Sequence, residues 1–153
     1  MEFKLTSPAF NHGTMIPSKY TCDGDNVSPY LVVHGVPAEA KSLALVVEDP
    51  DAPSGLYIHW LLWNIPIEVK EIKEHTVPFN AVEGLNSNQG FGYEGPCPPS
   101  GTHRYYFRLY ALDIKLRLKE GALRADLDAA MEGHILGAAG LMETYSRTNN
   151  API

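Results

Sequence analysis

The sequence lacks the features that mark several large classes of protein. Its only two cysteines, Cys22 and Cys97, are too few for a disulfide scaffold and do not have the paired spacing of a zinc site. No apolar run approaches the roughly 18 residues that a membrane-spanning helix needs, and residues 1–10 contain no apolar segment preceded by basic residues. We therefore expect a cytoplasmic protein with two free thiols, unless the loops that carry them meet in space.

Positive charge is also scarce. Twelve Lys and Arg against 18 Asp and Glu give a formal net charge of -6, so a nucleic acid or an anionic membrane would meet net repulsion. We expect neither as the main partner. The length of 153 residues and the hydrophobic content of 44% predict a single globular domain over residues 1–153 with a substantial core.

Three segments have the pattern of β-strands. Residues 42–48 form an unbroken apolar run, typical of a buried strand, which should stop at Asp49-Pro50. In residues 57–65, period two places Tyr57, His59, Leu61, Trp63 and Ile65 on one face. Residues 103–112 alternate more clearly, with His103, Tyr105, Phe107, Leu109 and Ala111 on one face.

The pattern changes near the C-terminus, where apolar residues recur every three or four positions. This spacing predicts an amphipathic helix that follows Gly121, precedes Asn149-Asn150 and carries Leu127, Met131, Ile135, Ala138, Met142 and Tyr145 on one face. Strand-rich sequence before a terminal helix predicts a mostly β fold: an antiparallel β-sandwich core, or twisted sheets, with a few peripheral helices.

The acidic turn at residues 48–53 is the first candidate for chemistry. Pro50 and Pro53 each fix one φ angle, so Asp49 and Asp51 are held on a stiff turn after a buried strand. Such a turn can aim a carboxylate into a pocket. The alternative is that Asp49 only accepts backbone N–H bonds within the turn.

The second and third candidates are the strand with His59-Trp60 and the glycine- and proline-rich run at residues 92–107. In that run, Gly92, Gly95 and Gly101 permit close approach and positive φ, while three prolines stiffen the loop before His103. A rigid loop of this kind can present backbone N–H groups to an anion, or it can be a tight crossover between sheets. Each histidine taken alone is more often a core residue that makes one hydrogen bond.

The order of these motifs resembles the phosphatidylethanolamine-binding protein family, also called the Raf kinase inhibitor protein family. The matching motifs are DPDAP at 49–53, HW at 59–60 and GxxGPxPPxGxHRYxF at 92–107. The resemblance covers residues 6–147. The five residues between DPDAP and His59 are similar to the compact bacterial and archaeal (YbhB/YbcL-like) branch, which is shorter here than the animal proteins.

The resemblance implies a β-sandwich-like core and a pocket that binds phosphate, acetate or phosphoethanolamine-type head groups. Carried over residue by residue, the implied ligand-binding positions are Asp49, Tyr57, His59, Gly95, Pro96, His103 and Tyr105. The remaining motif residues, Asp51, Pro53, Trp60 and Arg104, are expected to be structural. Alternation points Arg104 away from His103, and a carboxylate such as Asp51 could pair with it.

We therefore expect a non-enzymatic binding protein for a small anion, with no cofactor and no metal. The resemblance adds inhibition of a kinase or a serine protease as a regulatory function, and a homodimer as a possible assembly. The competing hypothesis is a hydrolase in which Asp49, His59 and His103 hold a metal or act as acid and base. Against that hypothesis, Ser100 has no nucleophile-elbow pattern around it, and no His-x-x-x-His or Cys-x-x-Cys spacing is present.

Overall fold

The computed structural model describes residues 1–147 and shows a mostly β chain. One short helix interrupts the strands, and no helix in the described range has the length and apolar character to cross a membrane. The elements are β1 (Lys4–Thr6), a 3-10 turn (Ser18–Tyr20), β2 (Leu31–His34), β3 (Ser42–Ala52), β4 (Gly55–Ile65), β5 (Glu71–Ile72), β6 (Val82–Glu83), β7 (His103–Leu112), α1 (Arg124–Met131) and β8 (Ile135–Tyr145).

Two antiparallel sheets pack face to face. The smaller has the strand order β1-β2-β5 and the larger β6-β4-β3-β7-β8. Leu5 and Leu31 of the small sheet share one buried cluster with Leu45 and Phe107 of the large sheet. The predicted β-sandwich is therefore confirmed, with its main core between the sheets. Helix α1 covers part of the other face of the large sheet through Leu127 and Met131.

Strand β3 forms the centre of the large sheet, as its apolar run predicts. It pairs with β4 on one side and β7 on the other, and residues 42–49 are all buried. The prediction that it stops at Asp49-Pro50 is wrong, because the strand continues to Ala52 before turning back at Gly55. Pro50 is tolerated because it lies within a register irregularity between Asp49 and Ala52, where it removes no regular ladder hydrogen bond.

The predicted face of β4 is also wrong in part. Val47 lies opposite Trp60 and Glu48 opposite Ile58, so His59 is an extra residue in a β-bulge. The bulge reverses the alternation: Trp60 and Leu62 enter the main core, while Leu61 and Trp63 pack with α1. A second register shift, between Leu43 and Leu45 of β3, brings Ile65 back to the core face. Simple period two cannot foresee this change of face. The alternation predicted for β7 is confirmed, since all five residues of its inward face are buried.

The predicted C-terminal helix is mostly wrong. A helix is present at Arg124–Met131, but residues 135–145 form the edge strand β8, which pairs with β7 from His103↔Tyr145 to Leu112↔Ile135. Ten antiparallel pairs outweigh a helical spacing that is coincidental over so short a segment. Asn149 and Asn150, expected to follow the helix, lie outside the described residues.

Candidate functional site

Both predicted histidines line one cavity of about 310 Å³ at an end of the sandwich. Strands β3, β4 and β7 supply one wall and the segment 94–99 supplies the other. We call this cavity the pocket. Its lining residues are Asp49, Pro53, Ser54, Tyr57, His59, Glu94, Gly95, Cys97, Pro98, Pro99, His103 and Tyr105. Six of the seven predicted ligand-binding residues are therefore together, and Pro96 alone is absent from the lining.

His103 is held by Asp49. The Nδ1 atom of His103 lies 2.7 Å from Oδ2 of Asp49, and both side chains are almost fully buried. Because a carboxylate accepts hydrogen bonds, Nδ1 carries the hydrogen and Nε2 is left for another partner. The other carboxylate oxygen of Asp49 accepts from the backbone N–H of Asp51 at 2.7 Å. Asp49 thus closes its own turn and also turns its carboxylate into the pocket, where it orients His103.

His59 is held in the same way by a backbone group. Its Nδ1 lies 2.5 Å from the carbonyl oxygen of Glu94, and the backbone N–H of Glu94 returns a bond to the carbonyl of His59. A carbonyl also only accepts, so Nε2 of this ring is likewise the atom left for a ligand. Burial lowers the pKa of His59, because a desolvated imidazolium is disfavoured, and this effect exceeds the opposing bond from Glu94.

Tyr57 forms the rim of the pocket. Its ring centroid lies 4.8 Å from that of His59, and its hydroxyl donates to the carboxylate of Glu94 at 2.9 Å. Burial, together with this bond, raises the pKa of Tyr57 to about 12. Glu94 therefore fixes two pocket side chains, one through its carbonyl and one through its carboxylate.

The segment 94–99 is pinned from outside the pocket. The backbone N–H of Gly95 donates to Oδ1 of Asn26, and a Cβ atom at Gly95 would lie only 2.3 Å from the carbonyl oxygen of Tyr20. Glycine is required here for close approach. Because Asn26 takes the N–H of Gly95 and the neighbouring prolines have none, the predicted backbone cradle for an anion is not formed by Gly95 or Pro96.

A disulfide joins Cys22 to Cys97, so the expectation of free thiols is wrong. The loops that carry them do meet: the backbone N–H of Cys22 donates to the carbonyl of Pro96 at 3.1 Å. Pro96 is thus a structural residue behind the pocket wall. Spacing could not show this contact, because 75 residues separate the two cysteines along the chain.

The structural residues of the motifs support the pocket from its edges. Arg104 makes a two-pronged contact with Asp51, at 2.9 and 2.8 Å, which confirms the predicted pairing. Its hydrogen bonds lower the pKa of Asp51 to about 2. Trp60 is buried and donates to Glu83, whereas Pro53 lines the pocket itself.

Tyr105 separates the pocket from the core. Its ring meets His59 edge-on at 5.3 Å and stacks on His103 at 6.3 Å between centroids. Its hydroxyl is buried and has no hydrogen-bond partner among residues 1–147. The only other buried side-chain atoms of that range without a partner are the two carboxyl oxygens of Glu143. Glu143 lies directly across from Tyr105 on β8.

The pocket contains two carboxylates and two imidazoles but no permanent cation. Asp49 and Glu94 are among the twelve lining residues, and none of the twelve is Lys or Arg. Any positive charge that the lining presents to a ligand must therefore come from a protonated histidine. Within residues 1–147, no group of three or more His, Cys, Asp and Glu side chains is arranged to hold a metal ion.

Sequence reasoning missed Asn26, Glu94 and Glu143. Glu94 stood inside the glycine-rich motif, but its contribution is partly a backbone carbonyl, which has no sequence signal. Asn26 acts across 69 residues of chain. Glu143 could have been noticed only as a charged residue on the same face as Leu141 and Tyr145, once that segment was assigned to a strand.

A mostly β chain with a small polar cavity at one end of a sandwich is a ligand-binding architecture, and comparisons with known proteins place it further. A family model described as "Phosphatidylethanolamine-binding protein" matches residues 6–146. A UPF0098 protein of the archaeon Methanothermobacter thermautotrophicus is 52% identical over 148 residues, covering 94% of this chain and 98% of its own. A UPF0098 protein of Chlamydia muridarum is 49% identical, covering 94% and 99%.

Solved structures agree. A Chlamydia trachomatis protein described as a phosphatidylethanolamine-binding protein homologue has a TM-score of 0.92 at 48% identity, covering 95% of this chain and 97% of its own. Escherichia coli YbcL, described as a member of the mammalian family, has a TM-score of 0.90 at 30% identity, covering 97% and 100%. This chain therefore belongs to the phosphatidylethanolamine-binding protein family, with relatives among bacteria and archaea.

Proposed function

We propose that this protein binds a small anion, phosphate or a phosphorylated head group, in the pocket without chemically changing it. The observation that supports the proposal is that His59 and His103 are hydrogen-bonded in the same way. Each ring has its Nδ1 atom committed to a fixed acceptor, so each offers Nε2 in the same cavity. Two protonated imidazoles are charge-assisted donors to phosphate oxygens.

Asp49 supports this arrangement although it is an anion beside an anion site. Its carboxylate contacts Nδ1 of His103, so it balances the charge of a protonated ring that faces the ligand through Nε2. The same pairing of a ligand-facing histidine with a carboxylate holds rings in place at many sites. His59 has only a carbonyl partner, and burial lowers its pKa, so this ring gains its proton at a lower pH than a solvent-exposed imidazole does.

Binding without turnover is favoured by the groups near the two rings. The one sulfur in the lining, on Cys97, is tied in the disulfide. The hydroxyl of Tyr57 donates to Glu94 and not to a histidine. Neither ring is hydrogen-bonded to a serine or tyrosine hydroxyl within residues 1–147, so no activated nucleophile accompanies them.

The test is calorimetric titration with sulfate, because phosphate monoesters change charge with a second pKa of about 6 whereas sulfate does not. We expect the affinity to rise about tenfold or more as the pH falls from 8 to 5, since protonation of an imidazole adds a charge-assisted donor to the anion. A flat profile, or no binding at any pH, contradicts the proposal.

The variant His103→Asn retains a nitrogen near the position of Nδ1 and removes Nε2, so it should abolish most of the pH-dependent gain. His134→Asn is the matched control, because His134 also contacts a carboxylate, that of Asp113, at 2.8 Å, but on the exposed surface. Phosphoethanolamine should be recovered intact after incubation, as followed by phosphorus NMR. Release of phosphate that depends on His103 would instead support the hydrolase hypothesis.

Inhibition of a kinase or a serine protease, a homodimer and a cytoplasmic location stay predictions. No contact among the described residues bears on them.

A further inference from the structure

The carboxyl group of Glu143 is buried without a hydrogen-bond partner in the described chain. Its residue is 0% exposed, and neither oxygen has a hydrogen-bond partner among residues 1–147. Burial raises its pKa well above the usual value, with no charged neighbour opposing the effect. A buried carboxyl group in this state holds its proton, because an unpaired carboxylate would lose its hydration without compensation.

Glu143 is isolated, yet it is next to the pocket. It lies opposite Tyr105 in the β7–β8 ladder, where directly paired side chains stand on the same face with Cβ atoms about 5 Å apart. Tyr105 in turn lines the pocket and touches both histidine rings. Tyr105 therefore links the position of Glu143 to the two imidazoles.

The groups that interact electrostatically with Glu143 carry no positive charge. They are tyrosines, Tyr105 on β7 and Tyr93 in the segment before it. Tyr93 already donates its hydroxyl to the carbonyl of Tyr20 at 2.8 Å. The nearest charged group on the far side of Tyr105 is Asp49, itself an anion. An ionised Glu143 would add a third negative charge at a pocket that has no Lys or Arg in its lining.

We propose that Glu143 acts on the anion pocket through Tyr105, and that the pocket holds an anion more weakly as the carboxyl group of Glu143 loses its proton at rising pH. This inference rests on the proposed function. With the proton in place, Glu143 adds no charge to the carboxylates of Asp49 and Glu94 at the pocket. With the proton lost, an uncompensated charge in a poorly screened interior repels the ligand, and anion and proton therefore bind cooperatively.

The experiment compares sulfate affinity in the wild type and in Glu143→Gln at pH values from 5.5 to 8. Glutamine has the shape of the protonated acid but cannot ionise. We expect the two proteins to bind equally at pH 5.5, and the variant to bind about tenfold more tightly at pH 8. Calorimetry in two buffers of different ionisation enthalpy should show that the wild type takes up more protons on binding sulfate at pH 8 than the variant does.

Two further variants make the comparison decisive. Glu143→Met, whose side chain is unbranched and apolar, should show the same pH profile of sulfate affinity as Glu143→Gln. It replaces the glutamine variant in the comparison if the buried amide prevents folding. Glu132→Gln removes an exposed carboxylate at the end of α1 and should follow the wild type at every pH. Parallel profiles for wild type, Glu143→Gln and Glu143→Met would overturn this inference while leaving the anion pocket intact. Absence of sulfate binding at every pH in all four proteins would overturn both proposals.

Discussion

The two sides of Tyr105 are built on opposite principles. On the pocket side, Asp49 is 3% exposed and its carboxylate accepts hydrogen bonds from His103 and from the backbone of Asp51. On the core side, Glu143 is 0% exposed and accepts none within the described chain. Two acidic residues with nearly the same burial thus differ in their contacts: Asp49 orients the groups that donate to it, and Glu143 is buried without a donor. Burial alone does not show what an acidic residue contributes; its partners do.

The largest expected effect on stability is that of removing the disulfide on the pocket side of Tyr105. Replacing both cysteines, Cys22→Ser with Cys97→Ser, should lower the free energy of unfolding by about 4 kcal/mol, because the disulfide closes a long loop in the unfolded chain. Urea denaturation of the wild type and the double variant measures this change. A difference below about 1 kcal/mol would show that hydrogen bonds, such as Cys22 to Pro96, already fix the segment.

The second-largest effect on stability is expected for removal of the Asp49 carboxylate. Asp49→Ala leaves Nδ1 of His103 and the N–H of Asp51 without their acceptor, and we expect a loss of about 3 kcal/mol in the free energy of unfolding. Asp49→Asn retains acceptor oxygen but no charge, so it should be milder. If alanine and asparagine are equally mild at neutral pH, the contrast between the two sides of Tyr105 does not hold.

The core side should respond with the opposite sign. Glu143→Met removes the unsatisfied carboxyl group, and we expect a gain of about 2 kcal/mol in the free energy of unfolding at pH 8. The raised pKa of Glu143 in the folded state fixes the direction of the pH dependence. Its protonation favours folding fully below its unfolded pKa, and this contribution is lost as the pH rises.

The gain from Glu143→Met should therefore be smallest near pH 4 and widen toward pH 8. Urea titrations at four pH values measure it, with Glu132→Gln as the exposed control. A destabilised methionine variant at pH 8 would mean that Glu143 has a compensating partner, and the comparison with Asp49 would fail.

The sequence predicts the structure on the pocket side of Tyr105 better than the structure on its core side. The pocket side was predictable because its residues fall in compact motifs and because strand β7 alternates cleanly, which set His103 and Tyr105 on one face. The bulge at His59 was not, since it depends on a register shift against β3. His59 still reaches the pocket, but Leu61 and Trp63 change sides.

The core side was not predictable, because residues 135–145 were assigned to a helix. Glycine, alanine and leucine in that segment are compatible with either structure, and pairing with strand β7 decides between them. With the strand missed, the position of Glu143 opposite Tyr105 could not be seen. The disulfide was missed for the same reason, since both depend on contacts between distant segments.

The smallest effect is expected at the exposed edge of the pocket. Arg104 lowers the pKa of Asp51 to about 2 through a two-pronged hydrogen bond. A lowered folded pKa contributes stability that is present above the unfolded value of about 4 and lost as the pH falls toward 2. Because both side chains are partly solvated, we expect Asp51→Asn to cost less than about 1 kcal/mol at pH 6.

This difference between Asp51→Asn and the wild type should shrink steadily between pH 4 and pH 3 in urea titrations, and high salt should reduce it at pH 6. A cost comparable to that of Asp49→Ala would contradict the ranking, since it would show that an exposed pair can matter as much as a buried one. A cost near zero would assign Asp51 to geometry alone: its carboxylate also accepts the backbone N–H of Arg104 at 2.8 Å, and asparagine can keep that bond.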